Sequence, residues 1–73
     1  MDFKQTKALY ERMHSLIKRK ATGTPEAFAE RLGIGQSSLY RYLKALREEY
    51  HAPITYDKQK CRYCYSEDFE LVL

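Results

Sequence analysis

A three-residue turn, Gly33-Ile34-Gly35, constrains this chain more than any other feature. It separates two runs with helical periodicity. Before it, Phe28 and Leu32 stand four apart with Ala29 beside them, so one face of a short helix is apolar. After it, Leu39, Leu43, Leu46 and Tyr50 fall within one narrow sector at about 100° per residue. Ser37, Arg41, Lys44 and Glu48 fall opposite that sector, and Gln36, Tyr40 and Arg47 flank them. The second helix thus carries a polar, cationic outer face that folding alone does not require.

Start and stop signals bracket these runs. Thr24-Pro25-Glu26 offers an N-cap, a proline at the first helical position and an acid in the first turn. Helix 2 is expected over about 25 to 32. Ile34 is expected between the helices, and helix 3 over about 36 to 50. Upstream, Phe3, Leu9, Tyr10, Met13, Leu16 and Ile17 recur at helical spacing. Asp2 with Gln5 fits a capping box, and Lys18, Arg19 and Lys20 suit the dipole of a last turn. With Gly23 as the C′ residue, helix 1 is expected over about 3 to 21. Helix 2, glycine turn and helix 3 together form a helix-turn-helix.

Downstream, His51-Ala52-Pro53 breaks the helix. Ile54-Thr55-Tyr56 alternates like a strand, Asp57-Lys58-Gln59-Lys60 is a polar loop, and Cys61-Arg62-Tyr63-Cys64-Tyr65 alternates again. A β-hairpin is expected within 53 to 66. Cys61, Tyr63 and Tyr65 should face the core, and Arg62 and Cys64 should face outward. The tail, 67 to 73, ends in Phe69-Glu70-Leu71-Val72-Leu73, whose apolar residues need a surface to cover.

Composition limits the function classes. A chain of 73 residues makes one domain, and a domain this small buries only about 60% of its unfolded surface. It has no apolar run long enough to span a bilayer. The opening MDFKQTKALYERM has no apolar h-region, so no secretory leader is expected. Two cysteines give no disulfide framework. A reduced, cytoplasmic setting is expected. Net charge is +3, unevenly spread: residues 1 to 20 hold six Lys/Arg against two acids, 51 to 66 hold three against one, and 67 to 73 hold three acids and no base. Such segregation suits a polyanion partner.

The run Phe28 to Leu46 resembles the helix-turn-helix of bacterial winged-helix regulators, specifically the DeoR-like and biotin-repressor-like set, whose pattern reads roughly L-A-x-x-L-x-V-S-x-x-T-I-Y-R-D-I-x-x-L. Ala52-Pro53-Ile54-Thr55-Tyr56-Asp57 resembles the G-x-P-I-x-Y-D that follows, and Arg62-Tyr63-Cys64-Tyr65 resembles the G-Y-x-L wing strand. The similarity covers about residues 8 to 71. It implies a mainly α fold with a β-hairpin, a winged helix of three helices and a two-stranded wing, with helix 3 in the major groove of double-stranded DNA. By matching position, Gln36, Ser37, Tyr40 and Arg41 would face base edges or nearby phosphates, and Ser38 would assist a helix-start or phosphate contact. There are three departures from the pattern. Gly35 stands for the N-cap Ser, Tyr42 for an Asp, and Lys60, Cys61 and Arg62 replace the paired wing glycines.

The residues fit that chemistry on their own terms. Gln can pair with adenine and Arg with guanine in bidentate fashion. Ser, Tyr and Lys reach phosphates, so Lys44 on helix 3 and Lys58, Lys60 and Arg62 on the hairpin complete the candidate DNA-binding set. Cys61-x-x-Cys64 has zinc-ligand spacing, but a structural site needs four ligands, and His14 and His51 form no pair. No metal, cofactor or small-molecule substrate is expected. Of the seven tyrosines, Tyr10, Tyr50, Tyr56, Tyr63 and Tyr65 read as core and Tyr40 as exposed. With no Gly-rich phosphate loop and no nucleophile set, the chain does not read as an enzyme. The expectation is sequence-specific duplex DNA binding by a small regulator or accessory factor at the nucleoid, as a homodimer through helix 1 or the tail, or with a larger protein partner. The rival is a winged helix used for protein contact, with Tyr40 and the acidic tail as its docking surface.

Overall fold

In the computed structural model, residues 3–73 are described, with side chains from residue 5 onward. The expected Asp2 cap lies outside the described residues, as does the Phe3 side chain. Helices α1 (Phe3–Lys18), α2 (Pro25–Leu32) and α3 (Gln36–Glu49) are followed by strands β1 (Ile54–Asp57) and β2 (Arg62–Tyr65). The chain is therefore mainly helical with one antiparallel hairpin, as its periodicities indicate.

Helix α2 is bounded by its local signals. The Thr24 hydroxyl accepts the Ala27 N–H at 3.2 Å, and Pro25 occupies the first turn. Gly33 sits at φ 71°, where its N–H bonds the Glu30 carbonyl at 3.1 Å and the Ile34 N–H bonds the Ala29 carbonyl at 3.0 Å. A Cβ at Gly33 would meet nothing within 4 Å, so its dihedral rather than crowding favours glycine. Arg12 on α1 adds a bond from Nη2 to the Arg31 carbonyl at 2.8 Å, satisfying a carbonyl in the last turn of α2.

Helix α1 ends sooner than its periodicity suggests, at Lys18 rather than near Ala21. Lys20, not Gly23, is the left-handed residue that closes it, at φ 59°. The Lys20 N–H bonds the Ile17 carbonyl and the Ala21 N–H bonds the Leu16 carbonyl, at 3.0 and 2.9 Å. A lysine in that region costs roughly 1 kcal/mol or more. The reason lies two residues on. Thr22 is fully buried, and its Oγ1 accepts the Tyr63 N–H of β2 at 2.8 Å while its hydroxyl donates to the Gly23 carbonyl at 3.0 Å. The chain leaves the helix early to satisfy the outer edge of the hairpin. Gly23, also at φ 71°, then turns the chain into α2; a Cβ there would lie 3.1 Å from that of Ala27.

The core combines Met13 and Ile17 of α1, Phe28 and Leu32 of α2, Leu39, Leu43 and Leu46 of α3, and Ala52, Ile54 and Tyr63. Leu39, Leu43 and Leu46 are at most 1% exposed, which fixes the rotation of α3. Ile34 is half-buried rather than enclosed. In the hairpin, Ile54 pairs with Tyr65, Thr55 with Cys64, Tyr56 with Tyr63 and Asp57 with Arg62. Ile54, Tyr56, Tyr63 and Tyr65 therefore share the inner face. Tyr63 packs against Phe28 and Tyr56, with centroids 5.6 and 4.9 Å away.

Candidate nucleic-acid interface

With the leucines turned inward, the opposite side of α3 is open. Gln36, Ser37, Tyr40, Arg41 and Lys44 are all exposed, and Ser38 is half-buried. Gly35 caps the helix through extended backbone, without a side-chain bond. Contacts within this face are slight. Arg41 Nη2 donates to the Ser38 hydroxyl at 3.2 Å, and Lys44 stands 4.0 Å from Glu48, both heads solvated. An exposed pair of that kind contributes about 0.5 kcal/mol or less. The Arg41 guanidinium keeps further N–H donors for a ligand.

The hairpin is fastened to α3 at its base. At its base, Arg47 Nε of α3 donates to the Ile54 carbonyl at 3.3 Å, and the Pro53 carbonyl accepts the Ser66 N–H at 2.8 Å. His51 turns the chain out of α3 at φ 56°, and the Ala52 N–H returns to the Leu46 carbonyl at 3.2 Å. Tyr40 is 50% exposed on the flank of α3. Burial and then the nearby Tyr40 hydroxyl push the Tyr63 phenol above its ordinary value, and Tyr40 acts on Tyr56 in the same sense, after burial and Cys61.

The loop itself is a local construction. The Asp57 carboxylate accepts the N–H groups of Gln59 and Lys60 at 3.0 and 3.2 Å, an Asx turn that holds Lys58 and Lys60 exposed. Cys61 corrects the strand reading. It lies in the loop at φ 52°, exposed, with its thiol toward the Lys58 carbonyl at 3.5 Å, and does not join Tyr63 and Tyr65 on the inner face. The hairpin needs a left-handed residue to close a loop this short. Arg62 also differs from the two lysines. It begins β2, is half-buried, and its Nε is covered with no hydrogen-bond partner among the described residues. The structure therefore gathers Gln36, Ser37, Tyr40, Arg41 and Lys44 on one helix face, sets Lys58 and Lys60 at the loop, and draws Ser38 and Arg62 partly inward.

Among the described residues, no group of three or more His, Cys, Asp or Glu side chains is placed to hold a metal ion, and Cys61 and Cys64 are free thiols. No described helix is long and apolar enough to cross a membrane. Sequence reasoning missed Thr22, Arg12 and the bond of Arg47 to the hairpin. It also missed the corner where the tail meets α1. There Tyr65 Oη and His14 Nδ1 lie 2.7 Å apart, Phe69 packs on both rings, and Glu70 reaches Lys18 and, at 3.7 Å, His14 Nε2. Burial pushes the Tyr65 phenol up to about 12. The only sequence signal for this corner is that His14 and Lys18 share a helix face. Compared with protein-family models, curated proteins and solved structures, the chain matches none.

Proposed function

We propose that this chain is a winged-helix domain of the helix-turn-helix regulator type that binds double-stranded DNA, with α3 in the major groove and the hairpin loop on the phosphate backbone, acting at the nucleoid as a small transcriptional regulator or accessory DNA-binding factor. One observation carries the reading: the outer face of α3 is exposed, its few contacts lie within the helix, it bears the residue types that bond base edges and phosphates, and the same chain carries an exposed lysine loop on a hairpin whose base is fastened to α3. In this reading Gln36, Tyr40 and Arg41 meet the groove, Ser37, Ser38 and Lys44 the nearby backbone, and Lys58 and Lys60 the flanking phosphates. Arg62 serves the loop from within the strand.

The test is a titration against a selected site and against random-sequence duplex across a salt series. Arg41→Ala should compress the ratio between the two, because a bidentate contact to guanine is worth about 1 to 3 kcal/mol of discrimination. Lys58→Gln with Lys60→Gln should weaken both duplexes alike and flatten the salt dependence by about one unit per lost phosphate contact. If neither variant alters binding, DNA readout by this face is wrong. A second reading, a winged helix used for protein contact, draws on the exposure of Val72 (82%) and Leu73 (40%) near the chain end.

A further inference from the structure

Residues 67–73 run antiparallel to α1. Glu67, Asp68 and Phe69 lie beside Ile17, Lys18 and Lys20, Glu70 reaches Lys18 and His14, and Leu73 lies beside Thr6, Lys7 and Tyr10. Extended chain from 67 to 73 covers about 20 Å, and helix from Lys18 back to Thr6 covers about 18 Å, so the two keep pace. Side chains hold this strap. Among the described residues, the last backbone–backbone hydrogen bond along the chain is that of Ser66 with Pro53. Beneath its first residues lies an open cavity of about 220 Å³, where Lys18 and Lys20 share the lining with Glu67 and Asp68. Arg19, exposed between them, has no ion-pair partner among the described residues.

The helix dipole gives a reason for cations at the end of α1. It gives none for an acidic segment laid across them. This end of α1 meets Tyr65 and Phe69 at the base of the hairpin, a strand length of about 13 Å from the loop lysines, and α3 turns its open face away from the core that α1 closes. We propose that Lys18, Arg19 and Lys20 form a second phosphate-binding surface for double-stranded DNA, separate from α3 and the hairpin loop, and that Glu67, Asp68 and Glu70 compete for it from within the chain. A duplex carries one charge per about 1.7 Å of axis, a density with which it can displace the Glu70 carboxylate from Lys18 and outcompete Glu67 and Asp68, which line the cavity without an ion pair among the described residues. The proposal goes beyond groove reading by α3, since backbone contact here needs no base readout.

The experiment measures affinity for random-sequence duplex across a salt series, with circular dichroism to confirm folding. The released variant is Glu67→Gln/Asp68→Asn/Glu70→Gln. The charge-matched control is Glu11→Gln/Glu30→Gln/Glu49→Gln, three exposed acids on other parts of the helices. The released variant should bind roughly tenfold tighter than the control at low salt, with a slope steeper by about 0.9 per recovered phosphate contact. Adding Lys18→Gln/Arg19→Gln/Lys20→Gln should abolish the gain. Glu70→Gln alone, which keeps Phe69 and Leu71, should give a smaller gain in the same direction if the triple variant fails to fold. A gain no larger than the control's, or one that survives loss of the three cations, overturns the proposal. If the released variant behaves as the control while Arg41→Ala still erases site preference, this surface fails and α3 readout stands. If Arg41→Ala changes nothing while the released variant gains as described, α3 readout fails and this surface stands. No duplex binding by any variant overturns both.

Discussion

The outer face of α3 and the corner between α1 and the tail are built from similar residues and do opposite things with them. On α3, Arg41 makes one bond to Ser38 and Lys44 one distant pairing with Glu48, both in solvent. At the corner, His14, Lys18, Tyr65, Phe69 and Glu70 engage one another through a hydrogen bond, ion pairs and tilted or edge-on ring contacts. Polar groups that already have partners contribute to the fold and lose by exchanging them. Groups bonded only to water can bond a ligand with little loss. The contrast separates a face bonded mainly to water from a corner where Lys18 is committed to Glu70 until a stronger anion displaces it, and substitutions in the two should fall on different measurements.

The two regions share one core, so the largest effect comes from removing its centre. Leu43, 1% exposed, should cost about 2 to 5 kcal/mol as Leu43→Ala, read by chemical denaturation. A variant that keeps the wild-type midpoint would mean that α3 is rotated and its outer face misassigned. Next is Thr22→Val, which keeps the shape but leaves the buried Tyr63 N–H without its acceptor. About 1 to 3 kcal/mol should be lost, and a neutral result would remove the reason given for the early end of α1.

Smaller still in stability is Arg41→Ala, which should stay within about 0.5 kcal/mol of the parent because the side chain is exposed. A larger loss would place Arg41 among the committed residues and weaken the contrast. The smallest effect is that of pH on the corner. Burial first, and then the Lys18 ammonium, hold His14 below its ordinary 6.5. Glu70 stands within ion-pair reach and should act the other way, but it is 67% exposed and engaged by Lys18, so burial prevails. The unfolded chain then takes up the proton first as pH falls. This contribution is present above about pH 6.5 and is lost as pH drops through the folded value. Melting temperatures measured between about pH 8 and pH 5 should fall toward acid, with less slope in His14→Gln. An unchanged slope would show that His14 does not feel the corner.

Helix α2 and the orientation of α3 were legible from the residues because their causes are local. Thr24, Pro25 and Gly33 act on groups within one turn of themselves, and Leu39, Leu43 and Leu46 mark a face through spacing alone. The candidate face followed from that spacing, since whatever opposes a buried leucine stripe is outside. The loop was legible in kind but not in boundary. Asp57 and the two lysines read as a polar turn, while the left-handed conformation of Cys61 depends on how the two strands meet.

By itself, the sequence determined three helices, a hairpin, an inward leucine stripe and an outward face of Gln36, Ser37, Tyr40, Arg41 and Lys44. Only the tertiary structure decided where α1 stops, that Cys61 is outside, that Arg62 is drawn inward, and that the tail lies along α1. The physical reason is the range of the interactions. Caps and periodicity act over three or four residues and are written in adjacent letters. The bond from Tyr63 to Thr22 joins residues 41 apart, and that between His14 and Tyr65 joins residues 51 apart. Such contacts form only once the core has brought α1 and the hairpin together, and they then override the local preference of Lys18 to Ala21 for more helix.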